Sequence, residues 1–215
     1  MKFIITIMML LLNSYFIYCN GVDISLVTPK ETMRFQYSGE QGFDTSCGLS
    51  TAATLLSVYW SIPVTEAELI QEVFSIEEVT QAQDPTDTYT VNFNDISSVL
   101  SIYGVVSRPY RMNLPEIRDA LSQGFAPLLV HYEAPTEHFA LVLAVLGRRI
   151  ITADPARGVQ LLRTQQFEQR YSGAVLVTAS REHQRNTQTI NEAVNCAVSR
   201  NVLLEQVEID MVFDW

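Results

Sequence analysis

From Pro127 onward the chain breaks into short apolar runs joined by turn residues, and no other feature limits the fold more tightly. Pro127–Tyr132 reads as a strand through Leu-Leu-Val-His-Tyr. His138–Val145 is a second apolar strand, Gly147-Arg148 a turn, Arg149–Ala153 a third strand and Ala174–Thr178 a last one. A turn this short joins antiparallel neighbours. The first half of the chain has a different period. Cys47–Trp60 places Leu49, Ala52, Ala53, Leu56 and Trp60 close to helical spacing, behind the capping residues Asp44, Thr45 and Ser46. Thr65–Phe74 is a second helix, with Thr65 as cap and Glu66 and Glu68 in its first turn. Asn94–Tyr103, stopped by Gly104, and Leu114–Ser122, stopped by Gly124, are two more. Shorter elements are a strand near Met33–Tyr37, an extended Val105–Tyr110 and a helix over Gln165–Tyr171. Helices first and hairpin strands second predict an α+β fold.

With 215 residues, 47% of them hydrophobic and 18% charged, the chain is too apolar for disorder and suits one globular domain. A domain of that size needs no disulfide or metal staple. The net charge is −10 and the only lysines are Lys2 and Lys30, so no basic run exists to track phosphates and nucleic acid is excluded as a partner. At the N-terminus, Lys2 precedes the apolar run Phe3–Leu12, and Cys19-Asn20-Gly21 follows. That is the layout of a secretory signal peptide cleaved after about Gly21. A run this short does not span a bilayer, and membrane attachment requires the segment to be retained as an anchor. The expected organisation is a signal peptide over 1–21, a domain over 22–179 and a C-terminal extension over 180–215. Within the extension Glu192–Ser199 reads as helical, and Val202–Trp215 is apolar enough to need covering. The expected location is exported and periplasmic, with extracellular or inner-membrane-anchored as the alternatives.

Cys47 is the sharpest chemical feature. It falls in the first turn of a helix, where free N–H groups and the dipole favour a thiolate, the nucleophilic form. The alternative is a buried structural cysteine. Among the histidines, His131 lies inside a strand and His183 in the polar tail, whereas His138 begins a strand and can face a cleft. Asp154 ends the following strand before Pro155; it either orients an imidazole or simply forms the turn. Hairpin register separates the two. A regular ladder behind the two-residue turn Gly147-Arg148 sets Asp154 opposite Leu141, on the other face from His138. A three-residue loop, or an equivalent bulge, sets it opposite Ala140 and brings the two onto one face. Gln41, six residues before Cys47, is either an ordinary loop residue or an amide donor for an oxyanion. Pairing Cys47 with Cys196 would silence the nucleophile, so Cys47 is expected to be free.

Three segments in order, Gln41-Gly-Phe-Asp-Thr-Ser-Cys47-Gly48, His138-Phe139 with its apolar strand, and Ala153-Asp154-Pro155-Ala156-Arg157-Gly158, resemble the bacteriocin-processing, double-glycine-leader cysteine peptidases of the papain-like clan. The resemblance covers Phe35 to Thr178. It implies a papain-like fold with the Cys47 helix packed on a C-terminal antiparallel sheet. It implies Cys47 as nucleophile, His138 as general base and then acid, Asp154 as the group that orients His138, and Gln41 at the oxyanion hole. It implies no metal and no cofactor, and a secreted peptide or protein substrate cut after Gly-Gly. Two departures stand out. Ser46 replaces the Asp that transporter-linked members carry before the cysteine. An export signal takes the place of a transporter, so the chain is similar to stand-alone exported relatives, including the peptidase of functional-amyloid secretion systems. Components of such a system are the implied partners. The alternatives are a non-catalytic relative that binds a secreted polypeptide and a papain-like cell-wall hydrolase.

Overall fold

A computed structural model describes residues 34–42, 46–73 and 91–212, with side chains as far as 201. The expected signal peptide over 1–21 lies outside the described residues. Helix α1 (Cys47–Thr54) starts where the Ser50 N–H donates to Ser46 O at 2.8 Å. It was expected to remain α-helical to Trp60, but Leu55–Tyr59 is a π turn in which the Trp60 N–H donates to Leu55 O at 3.1 Å. One extra residue per turn leaves no mark in an apolar pattern. Helix α2 spans Glu66–Val73. Helices α3 (Phe93–Ile102) and α4 (Leu114–Ser122) each open with a reciprocal capping box, Asn92 with Asp95 and Asn113 with Glu116. Helix α5 (Thr164–Glu168) is short, and α6 runs over Thr187–Val212.

Strands β1 (Val105–Arg111), β2 (Leu128–Tyr132), β3 (His138–Leu146), β4 (Arg149–Asp154), β5 (Gly158–Arg163) and β6 (Tyr171–Ser180) form one antiparallel sheet in the order β1-β6-β2-β3-β4-β5. Alternate residues serve opposite faces. On one face Leu129, Leu141, Ile151 and Leu176 pack with Leu49 and Leu56 of the first helix, Leu69 of α2 and Ile96 of α3. On the other, Val130, Ala140, Ile150 and Val175 pack with Ile117 of α4 and Phe167 of α5. Burial on both faces explains why β2 and β3 read as continuous apolar runs. The α+β expectation holds, and the helix bearing Cys47 lies on the sheet.

The β3–β4 hairpin meets the register requirement through a bulge. Leu146 pairs with Arg149, so the turn is the two-residue Gly147-Arg148. Farther from the turn, Leu141 pairs with Ala153, because the register shifts between Val142 and Ala144. Leu143 is the extra residue. Accordingly Val142 and Val145 share one core cluster while Leu143 and Ala144 share the other. The same shift aligns Asp154 with Ala140 and puts it on the His138 side of the ladder.

Other expectations needed correction. No strand forms over the described part of Met33–Tyr37; the Ser38 N–H closes a turn onto Phe35 O at 3.1 Å. Strand β5 was not foreseen, because it is an edge strand with mixed exposure and little alternation. Strand β6 begins at Tyr171, three residues earlier than expected, and α5 is correspondingly shorter. The C-terminal helix buries Ile190, Ala193 and Ala197 in the main core, and its Arg200 Nη2 donates to Val159 O at 2.6 Å. The packing face is therefore 190–198; the side chains of Val202–Trp215 lie outside the described residues. Among the described residues, no helix is long and apolar enough to cross a membrane.

Candidate active site

Cys47 is the first residue of α1 and is half-buried, with a free thiol. Two neighbours fix that helix start. The Thr51 hydroxyl lies 2.7 Å from Cys47 O and 3.1 Å from Phe139 O, tying the first turn to the strand residue after His138. Gly48 has no room for a side chain: a Cβ there would meet Val91 at 2.9 Å and Phe139 at 3.2 Å. Phe139 is itself held edge-on against Phe93, ring centroids 5.4 Å apart.

His138 opens β3 opposite Tyr132, whose ring stacks on the imidazole at 6.4 Å with planes 13° apart. Its Nε2 is 2.9 Å from Oδ1 of Asp154, a side chain only 2% exposed. Oδ1 also accepts the N–H groups of Ala156 (2.9 Å) and Arg157 (3.1 Å), and Oδ2 accepts from Arg157 Nη1 at 3.3 Å. Cys47 lines the same cleft and is near enough to raise the His138 pKa. With Nε2 engaged by Asp154, Nδ1 is the ring nitrogen left for the sulfur. The three side chains thus stand in one series from helix to hairpin.

The charges support one another. Burial pushes the His138 pKa down, but the Asp154 hydrogen bond and charge, together with Cys47, outweigh it and raise the pKa to about 9. Burial likewise works against a charged Asp154, yet the His138 hydrogen bond and charge, the Ala156 N–H and Arg157 hold its carboxyl below the usual range. An imidazolium can therefore persist at neutral pH between a carboxylate and a sulfur.

The series opens into a cleft of about 570 Å³ lined by Gln41, Glu40, Tyr132, Glu137 and Arg157 as well as Cys47 and His138. Gln41 is therefore on the same cleft as the cysteine, and its backbone N–H donates to Pro155 O at 2.9 Å. Sequence reasoning missed two contributors. Tyr132 read only as a core strand residue. Glu66 does lie in the first turn of α2, as read, but the capping there belongs to Glu68, which accepts from the Thr65 N–H at 2.7 Å. Glu66 instead reaches the loop before α1: it accepts the Gly42 N–H at 2.8 Å and the Ser46 hydroxyl. One carboxylate thus joins the residue after Gln41 to the residue before Cys47.

The other candidates lie elsewhere. His131 Nδ1 meets Ser172 Oγ at 3.1 Å, its ring packs on Phe139, and burial lowers its pKa, all marks of a structural residue. The backbone N–H of His183 donates to Ser180 Oγ at 3.1 Å, on the far side of the sheet order from Asp154. Cys196, on α6, is a free thiol too. Among the described residues no cluster of His, Cys, Asp or Glu is arranged to hold a metal ion.

Comparison with known proteins agrees with this geometry. The sequence profile of the Peptidase C39 family matches residues 37–183. The chain belongs to the Peptidase C39 family. The match takes in Gln41, Cys47, His138 and Asp154 and stops before α6. The chain is 26% identical over 155 residues to "Probable functional amyloid protease FapD" of Pseudomonas aeruginosa, covering 71% of this chain and 64% of that one. It therefore spans just under two thirds of that relative's length. Its fold matches the peptidase domain of Streptococcus ComA, a bifunctional ABC transporter involved in quorum sensing, with a TM-score of 0.56 at 16% identity. That alignment covers 67% of this chain and 99% of the domain. The papain-like fold and membership in a peptidase family, both expected from the sequence, stand.

The Glu66 contact has a measurable consequence. Glu66→Gln keeps the shape but weakens two hydrogen bonds to a charged acceptor, each worth about 1.5–3 kcal/mol at most. Because the carboxylate is half-exposed, a loss of about tenfold in peptide cleavage is expected, equivalent to about 1.4 kcal/mol in the barrier. Steady-state rates with a cleaved peptide check it; an unchanged rate would mean that the loop before α1 holds its shape without Glu66.

Proposed function

We propose that this chain is an exported cysteine endopeptidase that cuts a secreted peptide or protein by acyl-enzyme chemistry. The observation that carries the reading is the His138–Asp154 hydrogen bond beside Cys47 at the mouth of a cleft. Cys47 Sγ attacks the scissile carbonyl carbon. The negative charge that develops on its oxygen is met by the Gln41 side-chain amide and the Cys47 backbone N–H. As the C–N bond breaks, His138 gives its proton to the departing amine, leaving a thioester on Cys47. Water then attacks the thioester, His138 takes the water's proton, and the S–C bond breaks to release the acid and restore the pair. Asp154 holds the imidazole in orientation and balances its positive charge throughout.

The substrate is a small secreted precursor cut after Gly-Gly, and its setting is a secretion or functional-amyloid system. Family membership and the 26% identity to the functional-amyloid relative support that assignment. Export is supported by Lys2, the apolar run Phe3–Leu12 and the small residues near Gly21. The test is digestion of peptides carrying an internal Gly-Gly, alongside versions with Ala at either glycine, read by mass spectrometry. Cleavage after the second glycine, lost in the Ala versions, is expected. No cleavage of any peptide, or release of fragments from purified peptidoglycan instead, would overturn the assignment.

A further inference from the structure

The turn that carries Asp154 is gripped from behind by a segment of which the catalytic scheme uses only the Gln41 side chain. Going along the turn, Asp154 O lies 3.1 Å from the Ser38 hydroxyl and Pro155 O accepts the Gln41 N–H at 2.9 Å. Ala156 O accepts from Arg34 Nη2 at 3.3 Å, and Arg157 O from Arg34 Nε at 2.8 Å. Every carbonyl from 154 to 157 is thus held by the segment 34–41. The chain also passes so close that a Cβ on Gly158 would sit 2.2 Å from Arg34 O. This requires glycine at 158 independently of its φ of +73°.

The pattern matters because of which peptide groups are involved. Pro155 O and the Ala156 N–H belong to one planar peptide unit, and Ala156 O and the Arg157 N–H to the next. The N–H side of both units donates to Asp154 Oδ1. The carbonyl side of both is held by Gln41 and Arg34. Rotating either plane would break a bond on each side, so fixing the carbonyls fixes the donors that aim the carboxylate.

We propose that residues 34–41 form a clamp that orients Asp154, with Arg34 as a positioning residue that acts on His138 through the Ala156 and Arg157 peptide units. The proposal rests on the reading of Cys47, His138 and Asp154 as the working series. Arg34 lies at the protein surface and touches none of the three, so its replacement should leave the core intact. A lysine there has a single ammonium and cannot reproduce the two-carbonyl fork of a guanidinium.

The test reads His138 directly. The imidazole C–H resonances are titrated by NMR in the reduced full chain, with the His138 signal assigned from a His138→Gln variant. The titratable and charged groups around that ring are Asp154 and Arg157 of the turn, Cys47 of α1, Tyr132 and His131 of β2, and the neighbouring Glu137; they are common to wild type and Arg34→Ala. Arg34→Ala is expected to move the His138 midpoint down by about one pH unit, the scale of a weakened carboxylate partner. Arg34→Lys should move it less. Gly158→Ala, which pushes the clamp off from the other side, should move it as Arg34→Ala does. Peptide cleavage by Arg34→Ala should fall in kcat with KM little changed. An unmoved His138 midpoint in both Arg34 variants would overturn the clamp even if the wild type cuts peptides. A shifted midpoint in a chain that cuts nothing would keep the clamp and remove the catalytic reading.

Discussion

Replacing Cys47 with alanine is expected to leave no measurable peptide cleavage, and His138→Ala to lower it by about 10²- to 10⁴-fold, the range contributed by a positioned acid-base group. In the proposed scheme Cys47 forms the thioester, and nothing else in the cleft replaces it. In the same scheme His138 contributes twice, to the thiol's activation and to the departing amine, and both contributions would vanish together. The double variant should be no worse than Cys47→Ala alone, because groups that act as one unit do not add. The fold should tolerate these changes. In His138→Ala the buried Asp154 carboxylate keeps the Ala156 and Arg157 N–H groups and the Arg157 guanidinium as partners. The measurement is fixed-time mass spectrometry of a cleaved peptide, with circular dichroism to confirm folding. Cleavage that survives Cys47→Ala would exclude an acyl-enzyme on this residue, and a loss below tenfold in His138→Ala would exclude the imidazole as acid-base group.

The parts of this site legible in the sequence are those set by local pattern. Capping residues followed by Cys47 and small helical residues locate Cys47 at a helix start, and an apolar run places His138 at a strand end. The bulge at Leu143 was legible only in reverse. Two aliphatic neighbours, Leu143 and Ala144, do not announce which of them is extra; the demand that His138 and Asp154 meet on one face did. Contacts between distant segments were not legible at all. Arg34 bonds carbonyls more than 120 residues away, and backbone carbonyls leave no trace in sequence. Expecting a strand at Met33–Tyr37 was reasonable for apolar and aromatic residues, but that segment's hydrogen bonds go to a turn and not to a ladder. The reach of Glu66 was hidden for a similar reason. Two acids in a first turn look alike, and only the position of the loop before α1 shows that Glu68 caps the helix while Glu66 crosses to Gly42 and Ser46.

Raising the pH from 5.5 to 9.5 is expected to remove about 3 kcal/mol of stability from the wild type that a His138→Gln variant does not lose. In the fold His138 titrates at about 9 against its ordinary 6.5. Below 6.5 the ring is protonated folded or unfolded, and the full stabilisation is present. Between 6.5 and 9 only the folded ring keeps its proton, so stability declines as pH rises and the contribution is gone above 9. That span corresponds to about 3 kcal/mol at 1.36 per pH unit, with little screening because the side chain is 13% exposed. Asp154 acts at the other end with the opposite sign: its depressed pKa contributes above the ordinary carboxylate range and is lost as pH falls through it. The pair therefore stabilises most between about pH 4 and 6.5. Urea unfolding of both reduced chains at the two pH values isolates the effect, because every other titrating group is common to both. For a domain of this size it amounts to about 6–12 °C in Tm. Equal pH dependence in the two chains would mean that Asp154 and Cys47 do not hold the imidazolium. If the difference appears, cleavage should follow the same limit: the protonated ring that the departing amine needs persists through neutral pH, and activity should fall as the pH passes about 9.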